Sequence, residues 1–241
     1  MKLIAHRGGR SGPENSVEAL IHAARLGADA VECDIRRTRD GRLVIYHDED
    51  LSRLAGVPAA VSQVTLAEME TLLARENRHV LTFEALCGAY RETVPVLLHI
   101  KLTEADDEFA SLVSRSGLPV IAGVQSTAML RCFAGRLPRE RILAFLPRPD
   151  DASAFFRGGA GILRLWEQWL NRITPDQVRA QCPGAEVYIM ACRLQEEPWA
   201  GIPLDAMDGS PESLCRCARL GADGVLLNDL AMALDWRAAQ F

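Results

Sequence analysis

The chain has 241 residues, 49% of them apolar, and carries 27 basic against 32 acidic side chains for a net charge of −5. That length suits a single (β/α)8 barrel over residues 1–241, since such barrels run to about 250 residues. The acidic balance excludes the basic face that non-specific nucleic-acid binding needs. No run of about 18 apolar residues occurs, so no transmembrane segment is expected, and the N-terminus lacks the basic and apolar regions of a signal peptide. The seven cysteines (33, 87, 132, 182, 192, 215 and 217) are odd in number and scattered, with no C-x-x-C pair. Reduced thiols and a cytoplasmic location fit that usage.

In chain order, short apolar runs alternate with helical patterns. The strand candidates are 3–6, 30–35, 43–47, 94–101, 119–124, 142–146, 161–165, 186–192 and 224–228. Most are continuous rather than alternating, as in parallel strands buried on both faces. Helix starts are marked by Thr65-Leu66-Ala67-Glu68 and Thr174-Pro175-Asp176-Gln177, which have capping-box spacing, and by Ser210-Pro211-Glu212. A short repeat, Ala24-Arg-Leu-Gly-Ala-Asp-Ala-Val31 and Ala218-Arg-Leu-Gly-Ala-Asp-Gly-Val225, reads as a recurring helix-to-strand turn.

Nine runs are one too many for an eight-stranded barrel. Asp40-Gly41 is a hairpin signal, and a parallel neighbour would need a longer crossover. Run 43–47 therefore returns antiparallel from run 30–35. A two-residue loop at 40 and 41 would pair Arg39 with Arg42 and, counting back, Asp34 with His47.

Chemistry-bearing residues concentrate in the first 54 positions. Glu32 and Asp34 are two apart on a strand and share a face, with Cys33 opposite. Two buried carboxylates demand neutralisation, either by a divalent cation or by Arg and Lys partners. His6 ends the first strand, where a barrel's active face lies, and precedes Arg7-Gly8-Gly9, in which Arg7 suits a phosphate. With His47 expected near the same carboxylates, two imidazoles point to acid–base work. Glu14 and Asn15 follow Pro13 at a helix start; they either cap and buttress the His6 loop or touch ligand. His99 and Lys101 share a face at the end of run 94–101; His99 suits a third metal ligand and Lys101 a phosphate oxygen. Segment 194–209 holds Glu196, Glu197, Trp199, Asp205 and Asp208 and reads as either a lid or a solvated loop. Gly158-Gly159-Ala160-Gly161 precedes a strand, so it is not a dinucleotide loop.

These residues carry a resemblance. His6-Arg7-Gly8, Pro13-Glu14-Asn15-Ser16, Gly27-Ala28-Asp29, Glu32-x-Asp34, Thr38-x-Asp40-Gly41, His47-Asp48 and Leu51-Ser52-Arg53 follow the ordered motif of the glycerophosphodiester phosphodiesterase family, with a collinear echo at Gly221-Ala222-Asp223-Gly224-Val225. The resemblance implies a TIM barrel with an insertion after the His-Asp motif, here short at about 49–82. It implies hydrolysis of glycerophosphodiesters to sn-glycerol 3-phosphate and an alcohol with Ca or Mg at the site. By position, His6 and His47 become the acid–base pair, Glu32 and Asp34 metal ligands, and Arg7 and Lys101, with Glu14, the substrate contacts.

The chain also departs from that pattern. His99 stands where the family has Glu, which softens the ligand set and favours Mn, Zn or a similar ion. Val124-Gln125 replaces Ser-Phe, Met190 replaces Trp and Leu227-Asn228 replaces Thr-Asp; these positions are expected on the glycerol side of the pocket. An altered substrate, a non-catalytic phosphate-binding barrel and a phospholipase D-type lyase are the alternatives to hydrolysis. The partner expected is a small phosphodiester, not nucleic acid, and the sequence leaves the oligomeric state open.

Overall fold

Eight parallel strands close into a barrel in a computed structural model that describes residues 1–192 and 204–240. They are β1 (Lys2–Ala5), β2 (Ala30–Arg37), β3 (Val96–Ile100), β4 (Val120–Val124), β5 (Ile142–Phe145), β6 (Ile162–Trp166), β7 (Glu186–Met190) and β8 (Gly224–Leu227). Each pairs in parallel with the next, and β1 pairs with both β2 and β8, which closes the ring. Every strand run expected from the sequence is present, with ends that differ from expectation by one or two residues.

Two hydrophobic layers follow from strand alternation. Leu3, Val31, Cys33, Leu98 and Leu163 point outward and pack under the helices. Ile4, Ala30, Leu97, Ile162 and Leu226 point inward and fill the barrel. Glu32 and Asp34 have the parity of Ala30, so they stand inside, 0% exposed. The helices begin where their caps predict. Thr65 and Thr174 form the reciprocal bonds of a capping box, and Ser210 caps the helix Pro211–Arg219.

The internal repeat has a structural reason. Gly27 and Gly221 end their helices at φ 116° and 79°, a region open to glycine. Two residues on, each repeat places a carboxylate that ties down the preceding strand. Asp29 accepts the backbone N–H of Leu3 on β1 at 2.8 Å, and Asp223 that of Val187 on β7 at 2.8 Å. Arginines hold both carboxylates from behind, Arg237 on Asp29 and Arg179 on Asp223. The turn is a stapling device used twice.

The ninth run, Leu43–Ile45, lies antiparallel to β2 outside the barrel, as the hairpin signal required. Its register differs from expectation by one residue. Thr38 N–H bonds Arg42 carbonyl at 2.9 Å, so the loop has three residues, 39 to 41, with Gly41 at φ 81°. Ile35 consequently pairs with Ile45, and Tyr46 N–H donates to the Asp34 carbonyl. Tyr46, not His47, stands opposite Asp34. The excursion that follows forms a two-stranded ribbon (Asp50–Leu51 with Val57–Ala60) and the helix Leu66–Ala74. Val44, Leu51, Val61, Met69 and Leu73 give it a small core of its own.

Candidate active site

The C-terminal ends of the strands surround a cavity of about 360 Å³. His6 and Arg7 enter it from the turn after β1, Glu32 from β2, and His99 and Lys101 from β3 and its end. His47 enters from the excursion. The slipped register does not remove His47, because its carbonyl is held by Arg36 Nε and by Lys101 Nζ, each at 3.0 Å. Of the eight residues singled out from the sequence, six line this cavity. Asp34 lies beneath it, fully buried. Glu14 does not line it: it is bonded to Arg7 at 2.8 Å and to Arg53, behind the Arg7 guanidinium.

Backbone geometry aims Arg7. The residue adopts φ 52°, ψ 29°, a left-handed conformation that costs a non-glycine residue about 1 kcal/mol or more. Three contacts hold it there. Its N–H donates to Glu32 Oε2 at 2.8 Å, its guanidinium meets Glu14, and its Nε lies 3.6 Å from Asp34. Gly8 next to it is obligatory, since a Cβ there would sit 2.8 Å from the Cβ of Ala19. Asn15, also at positive φ (59°), clamps Asp34 from below. Its amide donates to Asp34 Oδ2, and its Oδ1 accepts the Asp34 N–H, both at 3.1 Å. Buttressing is thus what Asn15 does, while the helix is capped by Ser16.

The electrostatics split the carboxylates. Burial, followed by repulsion from Asp34, pushes Glu32 up to about 8. Burial works the same way on Asp34, but Lys101, His47 and His99 outweigh it and hold that carboxyl well below its ordinary value. Lys101 Nζ lies 3.2 Å from Asp34 Oδ1, and His99 Nδ1 3.0 Å from the same oxygen. All three imidazoles are lowered, burial being the largest cause in each, with His99 at about 3. They are therefore neutral near pH 7.

Neutral imidazoles need a fixed tautomer to act. His6 Nδ1–H donates to Asn228 Oδ1 at 2.8 Å, leaving Nε2 turned toward Glu32 at 4.0 Å. His47 Nδ1–H donates to Asp48 at 2.7 Å, and Arg53 holds Asp48 in turn at 2.6 Å. Both histidines therefore keep Nε2 as the basic nitrogen.

Glu32, Asp34 and His99 place one donor atom each within 4.8 Å of one another. Glu32 Oε1 and Asp34 Oδ1 are buried and, among the described residues, meet no donor in hydrogen-bonding geometry. Two buried carboxylates beside a neutral imidazole fit a divalent cation, which would displace the Lys101 and His99 contacts to Asp34 Oδ1. His99 Nε2 accepts from the Gln125 amide at 2.7 Å, which leaves Nδ1 as the nitrogen on the carboxylate side.

The altered positions divide in two. Gln125 and Met190 do line the cavity. Val124 and Leu227 point outward into the helix-facing core, and Asn228 backs His6 rather than lining the glycerol side. Sequence reading missed Asn228 as the partner of His6, and it missed Arg164 altogether. Arg164 is buried at the centre of β6, inward by the parity of Ile162 and Trp166, and it lines the cavity. The available signal was a lone charge inside the apolar run Ile162-Leu163-Arg164-Leu165. Segment 194–209 lies outside the described residues as far as 203. Asp208 is described and pairs with Arg10 at 3.1 Å.

A barrel whose mouth sets two tautomer-fixed histidines around a carboxylate pair, ringed by cations, has the build of a phosphate-ester site. The profile of the Glycerophosphoryl diester phosphodiesterase family matches residues 6–121, which hold every residue of that set except Asn228 and Arg164. A glycerophosphodiester phosphodiesterase of Caldanaerobacter subterraneus subsp. tengcongensis is 33% identical over 125 residues, 51% of this chain and 49% of that relative. The chain thus spans about half the length of that curated relative. Two solved structures share the whole barrel. One is a glycerophosphodiester phosphodiesterase from Parabacteroides distasonis, with TM-score 0.76, 18% identity, and 100% of this chain and 98% of that one covered. The other is an Oleispira antarctica phosphodiesterase in complex with its product sn-glycerol-3-phosphate, with TM-score 0.76, 16% identity and 99% and 97% covered.

Proposed function

We propose that the chain hydrolyses glycerophosphodiesters to sn-glycerol 3-phosphate and an alcohol. The carrying observation is the pair His6 and His47, both neutral and both tautomer-fixed, facing one cavity across Glu32 and Asp34. One Nε2 takes the proton of the attacking hydroxyl while the other imidazole, once protonated, delivers a proton to the leaving alcohol oxygen. Attack by the substrate's own glycerol hydroxyl breaks the P–O bond to the alcohol and leaves a cyclic phosphodiester. Water, deprotonated by the same pair in reversed roles, opens that ring. Arg7 and Lys101 bind the phosphoryl oxygens, where the negative charge grows. Glu14 serves through Arg7, and not by touching substrate.

Glu32, Asp34 and His99 are the residues that would hold a divalent cation, and such an ion supplies Lewis-acid polarisation of a phosphoryl oxygen when bound. An imidazole in place of a third carboxylate supports Mn or Zn over Ca or Mg. With Nδ1 on the ion, His99 Nε2 would carry the proton and Gln125 would turn its amide oxygen to accept it. The chain's partner is then a small phosphodiester, and its free-thiol cysteine usage supports a cytoplasmic setting; among the described residues no helix is long and apolar enough to cross a membrane.

The test is turnover on a panel of glycerophosphodiesters after chelation, with Ca, Mg, Mn or Zn added back singly. Release of glycerol 3-phosphate, lost by about a hundredfold or more in His6→Ala and in His47→Ala, is the expected result. Folded protein with no turnover under any ion would make the chain a phosphate-binding barrel. Accumulation of the cyclic phosphodiester as end product would make it a lyase.

A further inference from the structure

Arg164 is a cation with no task in the reaction described above. It is 5% exposed, yet among the described residues its Nε and Nη1 meet no hydrogen-bond partner. A buried guanidinium left with open donors is costly unless something binds them. Its surroundings are built rather than accidental. The guanidinium sits between the rings of Trp166, 4.4 Å from its centroid, and Phe145, 5.1 Å away. Phe145 in turn stacks on His99 with centroids 3.8 Å apart and planes at 19°. Phe145 can occupy that place because β4 carries Gly123, where a Cβ would fall 2.4 Å from the Phe145 ring. The stack fixes Arg164 on the cavity wall and supplies no acceptor. Glu32 is the one charge that perturbs it. That carboxylate is engaged by the Arg7 N–H and flanked by the imidazoles of His6 and His99.

Resting on the phosphodiester reading of the same cavity, we propose that Arg164 is a specificity-determining residue that binds a second anion on the substrate, a carboxylate carried by the esterified alcohol. Arg7 and Lys101 serve the phosphodiester, while Arg164 stands on the other wall, beside Trp166 and Met190, with a guanidinium fork suited to a planar carboxylate. The cavity would therefore favour head groups with a carboxylate over neutral or purely cationic ones.

Glycerophosphoserine and glycerophosphoethanolamine differ by one carboxylate, so their affinity ratio isolates the effect. Calorimetric titration of each into the His47→Ala protein, which binds without turning over, should show the serine diester binding about tenfold tighter or more. Adding Arg164→Met should bring the two affinities together while leaving the ethanolamine diester's affinity in place; Arg164→Lys should keep part of the preference. Equal affinities in the His47→Ala protein, binding of neither diester, or a preference that survives Arg164→Met would overturn the assignment. The first comparison needs no change at Arg164, so a misfolded variant does not shelter the idea. A carboxylate preference in a protein whose intact form turns over nothing would keep the anion site and remove the hydrolase reading; turnover without preference would do the reverse.

Discussion

Asn15 shows how much one residue can hold. It occupies a left-handed backbone position and spends both ends of its amide on Asp34. Replacing it separates the two roles. Asn15→Ala loses both hydrogen bonds and keeps the backbone strain, while Asn15→Gly loses the bonds and relieves the strain. Alanine should therefore destabilise the fold by more than glycine does, the gap being about 1 kcal/mol in denaturant unfolding. Equal losses would mean that the loop relaxes and the φ of 59° is not enforced. Asn228 poses the matching question for His6. Asn228→Leu removes the acceptor that fixes the Nδ1–H tautomer, and kcat on a glycerophosphodiester should fall about tenfold to a hundredfold with KM little changed. A change confined to KM would place Asn228 in substrate binding.

At the scale of elements, the helix-to-strand repeat and the aromatic stack are both testable. Asp29 and Asp223 staple β1 and β7 by a charge-assisted bond to a backbone N–H, each backed by an arginine. Either alanine variant should lose about 1–2 kcal/mol of unfolding free energy, with activity per folded molecule intact; a neutral result for both would make the repeat a mere turn signature. Gly123→Ala acts differently, since its new Cβ collides with the Phe145 ring and meets the Leu98 carbonyl at 3.1 Å. Overpacking there should cost about 1–3 kcal/mol and should displace the ring that backs His99 and Arg164.

These elements also show what the sequence made legible. Strands announced themselves as apolar runs, helices through their caps, and the carboxylate face of β2 through its period of two. The hairpin register did not, because Asp40-Gly41 is compatible with loops of two or three residues and only the bond between Thr38 and Arg42 chooses. Arg164 and Asn228 stayed hidden for another reason. Their meaning lies elsewhere on the barrel, in Glu32 and His6, and no local pattern reports a partner more than a hundred positions away.

Seen as a whole, the molecule concentrates charge in the one place where an eight-stranded barrel is otherwise apolar. Glu32 and Asp34 project inward above Leu97, Ile121 and Leu143, and cations from β2, β3, β6 and the first loop surround them. Such a cluster stabilises the fold only when it is balanced, and among the described residues its Glu32 Oε1 and Asp34 Oδ1 lack a donor in hydrogen-bonding geometry, although Lys101 and His99 lie close to the latter. A divalent cation binding these oxygens in the folded state, with no equal site in the unfolded chain, must raise unfolding free energy by mass action: about 2.7 kcal/mol at a hundredfold excess over the dissociation constant. Calorimetric melting in chelator, then with each ion in excess, reads this without any assay of turnover. The expected order of the upward shift is Zn and Mn above Mg and Ca, because His99 contributes an imidazole where a hard oxygen would favour the latter pair. His99→Glu should invert that order, and Glu32→Gln should abolish the shift for every ion. Melting temperatures blind to all four ions would assign the carboxylates to Arg7, Lys101 and Arg164 alone, as internal counter-ions of a site that works by histidine and cation without a metal.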